Sequence, residues 1–135
     1  DVSSAQTRLY SSVNTLDAIR QVETGGLPND GRGAVGDGGR AIGPYQIHNV
    51  YYVDAAQRNK ILKSYRNCLN SLSYSEKVIS SYMERYASKA WKRLQRGKGT
   101  LADVQTIARI HNGGPRGHTK KSTEKYWKKV LRVLV

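Results

Sequence analysis

Glu23 is the acid best placed by its neighbours to do chemistry. Leu16, Ile19 and Glu23 follow one another at three- and four-residue intervals, so a helix would put them on one face. A carboxyl held against apolar neighbours loses solvation, which favours its protonated form, and the negative end of a helix acts in the same direction. A Glu kept protonated near neutral pH can serve as a general acid. The alternative is an exposed side chain at a frayed helix end. Glycosidases use two carboxylates, and Asp30 and Asp37 follow in a glycine-rich stretch. Each also has an ordinary reading as turn chemistry, in Asn29-Asp30-Gly31 and Asp37-Gly38-Gly39.

Other chemistries find less support. His48, His111 and His118 are scattered without metal-ligand spacing, and Cys68 is the only cysteine, so no metal or other cofactor is expected. No serine sits in a GxSxG elbow, and the glycines match neither a P-loop nor a dinucleotide fingerprint.

Mainly helical elements must position these acids. The pattern predicts a first helix capped by Asn14 and running to Glu23, with Val13 and Val22 widening its apolar stripe and Gly25-Gly26 ending it. Eight of the thirteen glycines then fall between Gly25 and Gly43. A short strand or hairpin edge is expected over Arg40–Ile47, and helices over Asn49–Arg58 and Ser75–Ser88. Lys89–Arg96 either extends the latter or forms a separate helix. Thr100 with Asp103 reads as a cap for a helix carrying Val104, Ile107, Ala108 and His111 inward, which Asn112–Pro115 must end. A last helix is expected over Ser122–Leu134. The expected fold is α+β and mainly α: one domain over residues 1–135, with a helical lobe and a small β-hairpin or loop lobe after the first helix.

The chain has 135 residues and a formal net charge of +13, so polyanionic partners are favoured. Nucleic acid, acidic lipid and anionic cell wall all fit that charge, but no dedicated nucleic-acid module and no membrane span is present. A lone cysteine allows no intrachain disulfide.

Several segments together resemble the invertebrate-type lysozyme, or destabilase, family in a cysteine-poor form. They are Val22-Glu23-Thr24-Gly25, Gly36-Asp37-Gly38-Gly39, Gly43-Pro44-Tyr45-Gln46-Ile47, Tyr82–Ala87, Ile107–Gly117, and Ser122-Thr123 with Tyr126-Trp127. The resemblance implies a lysozyme-like fold and cleavage of the β-1,4 bond between N-acetylmuramic acid and N-acetylglucosamine. It implies Glu23 as general acid and Asp37 as nucleophile, with Asp30 as the fallback, in a retaining mechanism. It also suggests Tyr45, Gln46, His111, Asn112 and Gly113 as substrate-binding residues, the last three through likeness to an element of goose-type lysozymes and lytic transglycosylases. Bacterial peptidoglycan is the implied partner, and a secreted, antibacterial monomer is expected. No serine lies between Asp30 and Gly43, so the isopeptidase activity credited to some members is not expected. A lytic transglycosylase, needing one acid, and a non-catalytic glycan- or polyanion-binding protein stay open as alternatives.

Overall fold

The computed structural model describes residues 2–135. Its helices are α1 (Val2–Thr7), α2 (Ser12–Thr24), α3 (Asn49–Arg58), α4 (Leu72–Tyr86), α5 (Ser88–Gln95), α6 (Leu101–Gly113) and α7 (Glu124–Leu134). Three two-residue strands, β1 (Val35–Gly36), β2 (Ala41–Ile42) and β3 (Ile47–His48), form an antiparallel sheet in the order β1-β2-β3. The chain divides into two compact units, one running from the N-terminus to Val22 and resuming over Met83–Val135, the other spanning Glu23–Tyr82.

In the first unit α6 packs against both α5 and α7. Its Val104, Ile107, Ala108 and Ile110 are fully buried, as are Ile19 of α2, Leu94 of α5 and Val130 of α7. The start of α6 follows from its sequence. Thr100 Oγ1 accepts from the Asp103 amide at 3.2 Å while Asp103 Oδ2 accepts from the Thr100 amide at 3.0 Å. Arg93 of α5 adds a two-pronged contact to the same carboxylate, at 2.7 and 2.9 Å. From α6, Arg109 Nε donates to Thr123 Oγ1 at 2.8 Å, and Thr123 donates to the Gly117 carbonyl at 2.7 Å, tying the segment after the helix back to it.

Two expectations at the first long helix need correction. It begins at Ser12, and the cap is Ser11 rather than Asn14: Ser11 Oγ accepts from the Asn14 amide at 3.0 Å, and Asn14 Oδ1 accepts from the Ser11 amide at 3.1 Å. Asn14 thus fills the third position of a capping pair. Val13 is 75% exposed, because at 3.6 residues per turn it stands about 120° around the helix from the buried Ile19. α1 was not foreseen, lacking apolar periodicity. The region after Ser75 resolves into two helices, α4 and α5, broken at Ala87. The last helix starts at Glu124, after a short 3-10 turn over Lys121–Thr123.

In the second unit the sheet pairs Val35 with Ile42, Gly36 with Ala41, Ala41 with His48, and Ile42 with Ile47. The strand expected over Arg40–Ile47 is therefore a hairpin, with Gly43–Gln46 as its bend. Two glycines let the backbone close here. Gly43 has φ +78, and a Cβ there would lie 1.7 Å from the Cys68 carbonyl oxygen. A Cβ on Gly31 would lie 2.1 Å from Thr24 Oγ1. The 3-10 turn Tyr65–Cys68 backs the hairpin, and the Tyr65 hydroxyl donates to the Ile47 carbonyl at 2.6 Å. Among the described residues no helix is long and apolar enough to cross a membrane.

Candidate active site

Glu23 lies in the last turn of α2 and is half-buried. The residue after it anchors that turn: Thr24 is 2% exposed, and its hydroxyl donates to the Pro44 carbonyl at 2.8 Å. This bond joins the helix end to the hairpin bend. Tyr51 of α3 is 7% exposed and stacks on Tyr82 with ring centroids 3.8 Å apart. Burial pushes the Tyr51 phenol well above its usual range, with added repulsion from Tyr82, Cys68, Glu23 and Asp54. The Glu23 carboxylate therefore stands within electrostatic reach of a buried aromatic pair.

Asp37 opens the short turn between β1 and β2 with φ +50. Arg40 contacts its Oδ1 at 3.2 Å, and His48 Nε2 approaches its Oδ2 at 3.4 Å. The hydrogen bond and charge of Arg40, chiefly, hold the Asp37 carboxyl below its usual range, with a smaller contribution from His48. The side chain is half exposed, so this carboxylate is both ionised and reachable. Arg40 and His48 also line an open hollow of about 230 Å³ with Gly39, Asn49, Val50 and Tyr65. Asp30, by contrast, sits in an exposed left-handed turn with Asn29, at φ +57.

Tyr45 and Gln46 take other positions than cleft lining would suggest. Tyr45 is 2% exposed, and its hydroxyl donates to Glu76 Oε2 at 2.7 Å. Gln46 has φ +52, and its Nε2 donates to the Gly43 carbonyl at 3.0 Å and toward the Ala34 carbonyl at 3.4 Å. A Cβ on Gly36 would lie 2.3 Å from Gln46 Oε1, so the amide fills the space that this glycine leaves. Both residues hold the hairpin in shape.

His111, Asn112 and Gly113 belong to the first unit, at the C-terminal turn of α6. His111 is buried and Asn112 exposed. The missing side chain of Gly113 makes room for Thr123, whose Cγ2 would lie 2.4 Å from a Cβ, and its carbonyl accepts from Lys120 Nζ at 2.7 Å. Among the described residues no group of three or more His, Cys, Asp or Glu gathers as a metal site.

The Destabilase family model matches residues 14–133, nearly the whole chain. The chain belongs to the destabilase, or invertebrate-type lysozyme, family. "Invertebrate-type lysozyme 6" of Caenorhabditis elegans is 33% identical over 126 residues, covering 87% of this chain and 83% of that protein. "Lysozyme 1" of Crassostrea virginica is 33% identical over 90 residues, covering 67% of this chain and 43% of the oyster protein. The chain thus spans less than half of that relative, and 58% and 61% of the lysozymes of Magallana gigas and Ostrea edulis. The solved lysozyme of Tapes japonica superposes with a TM-score of 0.68 at 28% identity, covering 91% of this chain and 90% of that one. A chain in the crystal structure of Aeromonas hydrophila PliI in complex with Meretrix lusoria lysozyme gives 0.67 at 29% identity, with the same coverage. The α+β, mainly helical fold is that of the invertebrate-type lysozymes.

Within this family member, the sequence pointed to Glu23 and Asp37 but missed the groups around them. Arg40 is legible from the sequence, since it lies three residues from Asp37 across a turn. His48 is not, because only the pairing of Ala41 with His48 carries it to Asp37.

Proposed function

We propose that this chain is a muramidase, hydrolysing the β-1,4 bond between N-acetylmuramic acid and N-acetylglucosamine in peptidoglycan. The observation that carries the reading is the contrast between two acids of one unit. Glu23 is half-buried near the stacked tyrosines, and Asp37 is exposed and kept ionised by Arg40 and His48. Membership of a family whose relatives are named lysozymes supports it.

In this reading Glu23 gives its proton to the glycosidic oxygen as the Asp37 carboxylate attacks the anomeric carbon. The carbon–oxygen bond breaks and a glycosyl ester forms on Asp37. Glu23, now a carboxylate, takes a proton from water, whose oxygen attacks the same carbon and releases Asp37. Tyr45 and Gln46 act by positioning the hairpin, and Asn112 is the exposed candidate for sugar contact on α6. The reading takes residues 1–135 as one lysozyme-like domain, acting outside the cell as a monomer on bacterial wall.

A cell-wall clearing assay comparing the native chain with Glu23→Gln and Asp37→Asn tests the reading. Both variants should lose at least 100-fold in rate, in keeping with general acid catalysis. Full turnover by Asp37→Asn, with anhydro-sugar products one water lighter, would instead establish a one-acid lytic transglycosylase. Wall binding by the native chain without release of soluble fragments would establish a non-catalytic binder.

A further inference from the structure

The net charge is unevenly shared. The unit made of the N-terminal residues through Val22 and Met83–Val135 holds 16 of the 23 basic residues and 5 of the 10 acidic ones. It therefore carries about eleven of the thirteen net charges, while the unit with Glu23 and Asp37 carries about two.

α7 carries about three of these charges, four cations against Glu124, the same net as α5. Lys125, Lys128, Lys129 and Arg132 are all exposed and stand at i, i+3, i+4 and i+7, a single stripe along the helix. Among the described residues none of the four enters an ion pair. The opposite face carries buried Val130 and half-buried Tyr126, Trp127, Leu131 and Leu134. Like charges three and four residues apart destabilise a helix, so the stripe works against the stability of α7. The comparable row on α5, Lys89, Lys92 and Arg93, continued by Arg96 just past its end, is partly used within the fold, since Arg93 grips Asp103.

We infer that the outer face of α7 is a binding surface for a linear polyphosphodiester of sugar- or polyol-phosphate type. The chemistry of the stripe narrows the partner. α7 contains no Ser, Thr, Asn or Gln, so it reads charge and leaves hydroxyl groups unread. A straight row of cations matches a chain with an anion in every repeat. Insertion into an anionic membrane needs several bulky apolar side chains beside the cations; among the residues of α7 only Val133 is an exposed large hydrophobic, and the aromatic residues face away. Single-stranded nucleic acid needs exposed rings on which bases stack, and the same orientation denies them.

The inference stands apart from hydrolysis, and its test reads binding alone. Dissociation constants for poly(glycerol phosphate) are measured across a salt series. The proteins are the native chain, K125Q/K128Q/K129Q/R132Q, and a control with four exposed cations removed from the other unit, R58Q/K60Q/K63Q/R66Q. Each phosphate neutralised on a single-stranded polyanion contributes roughly 0.7 to the slope of log K against log salt. The α7 variant should flatten that slope by about 3 and the control by less than about 1, on the same counting. Should the fourfold variant unfold, the pairs K125Q/K129Q and K128Q/R132Q should each give half the change, and K125R/K128R/K129R should bind as the native chain does. Equal losses from the α7 variant and the control would overturn the inference, reducing the effect to net charge. So would tighter binding by the native chain to phosphatidylglycerol vesicles or to oligothymidylate than to the polymer.

Discussion

Arg40 holds Asp37 by one carboxylate oxygen, at 3.2 Å, and is the main reason that this acid stays ionised below the usual carboxylate range. His48 meets the other oxygen and adds less. If Asp37 works as an anion, activity on the acid side is lost as pH falls through its pKa. Arg40→Gln raises that pKa, so the acid limb of kcat/KM should move to higher pH, with little change in rate near neutrality. His48→Gln should move it less. A pH–rate profile of the three proteins checks the order, and an unmoved limb in Arg40→Gln would separate Asp37 from the rate-limiting ionisation.

Tyr45 provides a contrast of a different kind. Its buried hydroxyl is committed to Glu76, so Tyr45→Phe should cost about 1.5–3 kcal/mol of stability by removing one hydrogen bond to a carboxylate. The KM for soluble glycan fragments should stay within about twofold, as expected of a group with no substrate contact. A tenfold rise in KM would show that the hydroxyl does touch sugar.

Gly43 should be among the least replaceable positions. Alanine there would combine a left-handed backbone with overlap on the Cys68 carbonyl, at an expected cost of about 3 kcal/mol or more. Gly26 has a similar φ of +86 but open space around it, so Gly26→Ala should cost only about 1 kcal/mol. Urea denaturation of the two variants measures the difference, which isolates the collision from the backbone term.

Asp103 links pH to stability. Its carboxyl is held below the usual range, first by the Arg93 hydrogen bonds and then, against the cost of burial, by the Thr100 amide and hydroxyl. A lowered pKa means that its stabilising contribution is complete above the unfolded value of about 4 and is lost as pH falls through the folded value. Asp103→Ala should therefore cost about 2 kcal/mol at pH 7, where both the cap and the ion pair are lost. Asp103→Asn should show a smaller drop in denaturation midpoint than the native chain between pH 6 and pH 3.

Much of the helical framework could be read from apolar spacing and capping chemistry. Thr100 and Asp103 announced α6 because both partners of the cap are local in sequence. Asn49–Arg58 emerged with the expected bounds. Val13 misled because three-residue spacing from Leu16 places it only at the edge of the apolar arc, and the cap was misplaced because Ser11 and Asn14 offer similar side-chain chemistry. The tasks of Tyr45 and Gln46 were hidden, since a tyrosine and a glutamine in a bend look alike whether they meet ligand or protein. Their partners, Glu76, Gly43 and Ala34, become neighbours only once the hairpin has closed. The role of Gly113 was hidden for the same reason, because Thr123 reaches it through the return of the chain after α6.

Cys68 is the chain's single sulfhydryl, fully enclosed, with its thiol pushed up to about 11 by burial. No covalent bridge within the chain holds this shape together. Reductant should therefore leave its melting temperature where it was, and alkylating reagents should find nothing to attack until the chain unfolds. A molecule built this way can mature in a reducing compartment and work in an oxidising one without any change in what holds it together.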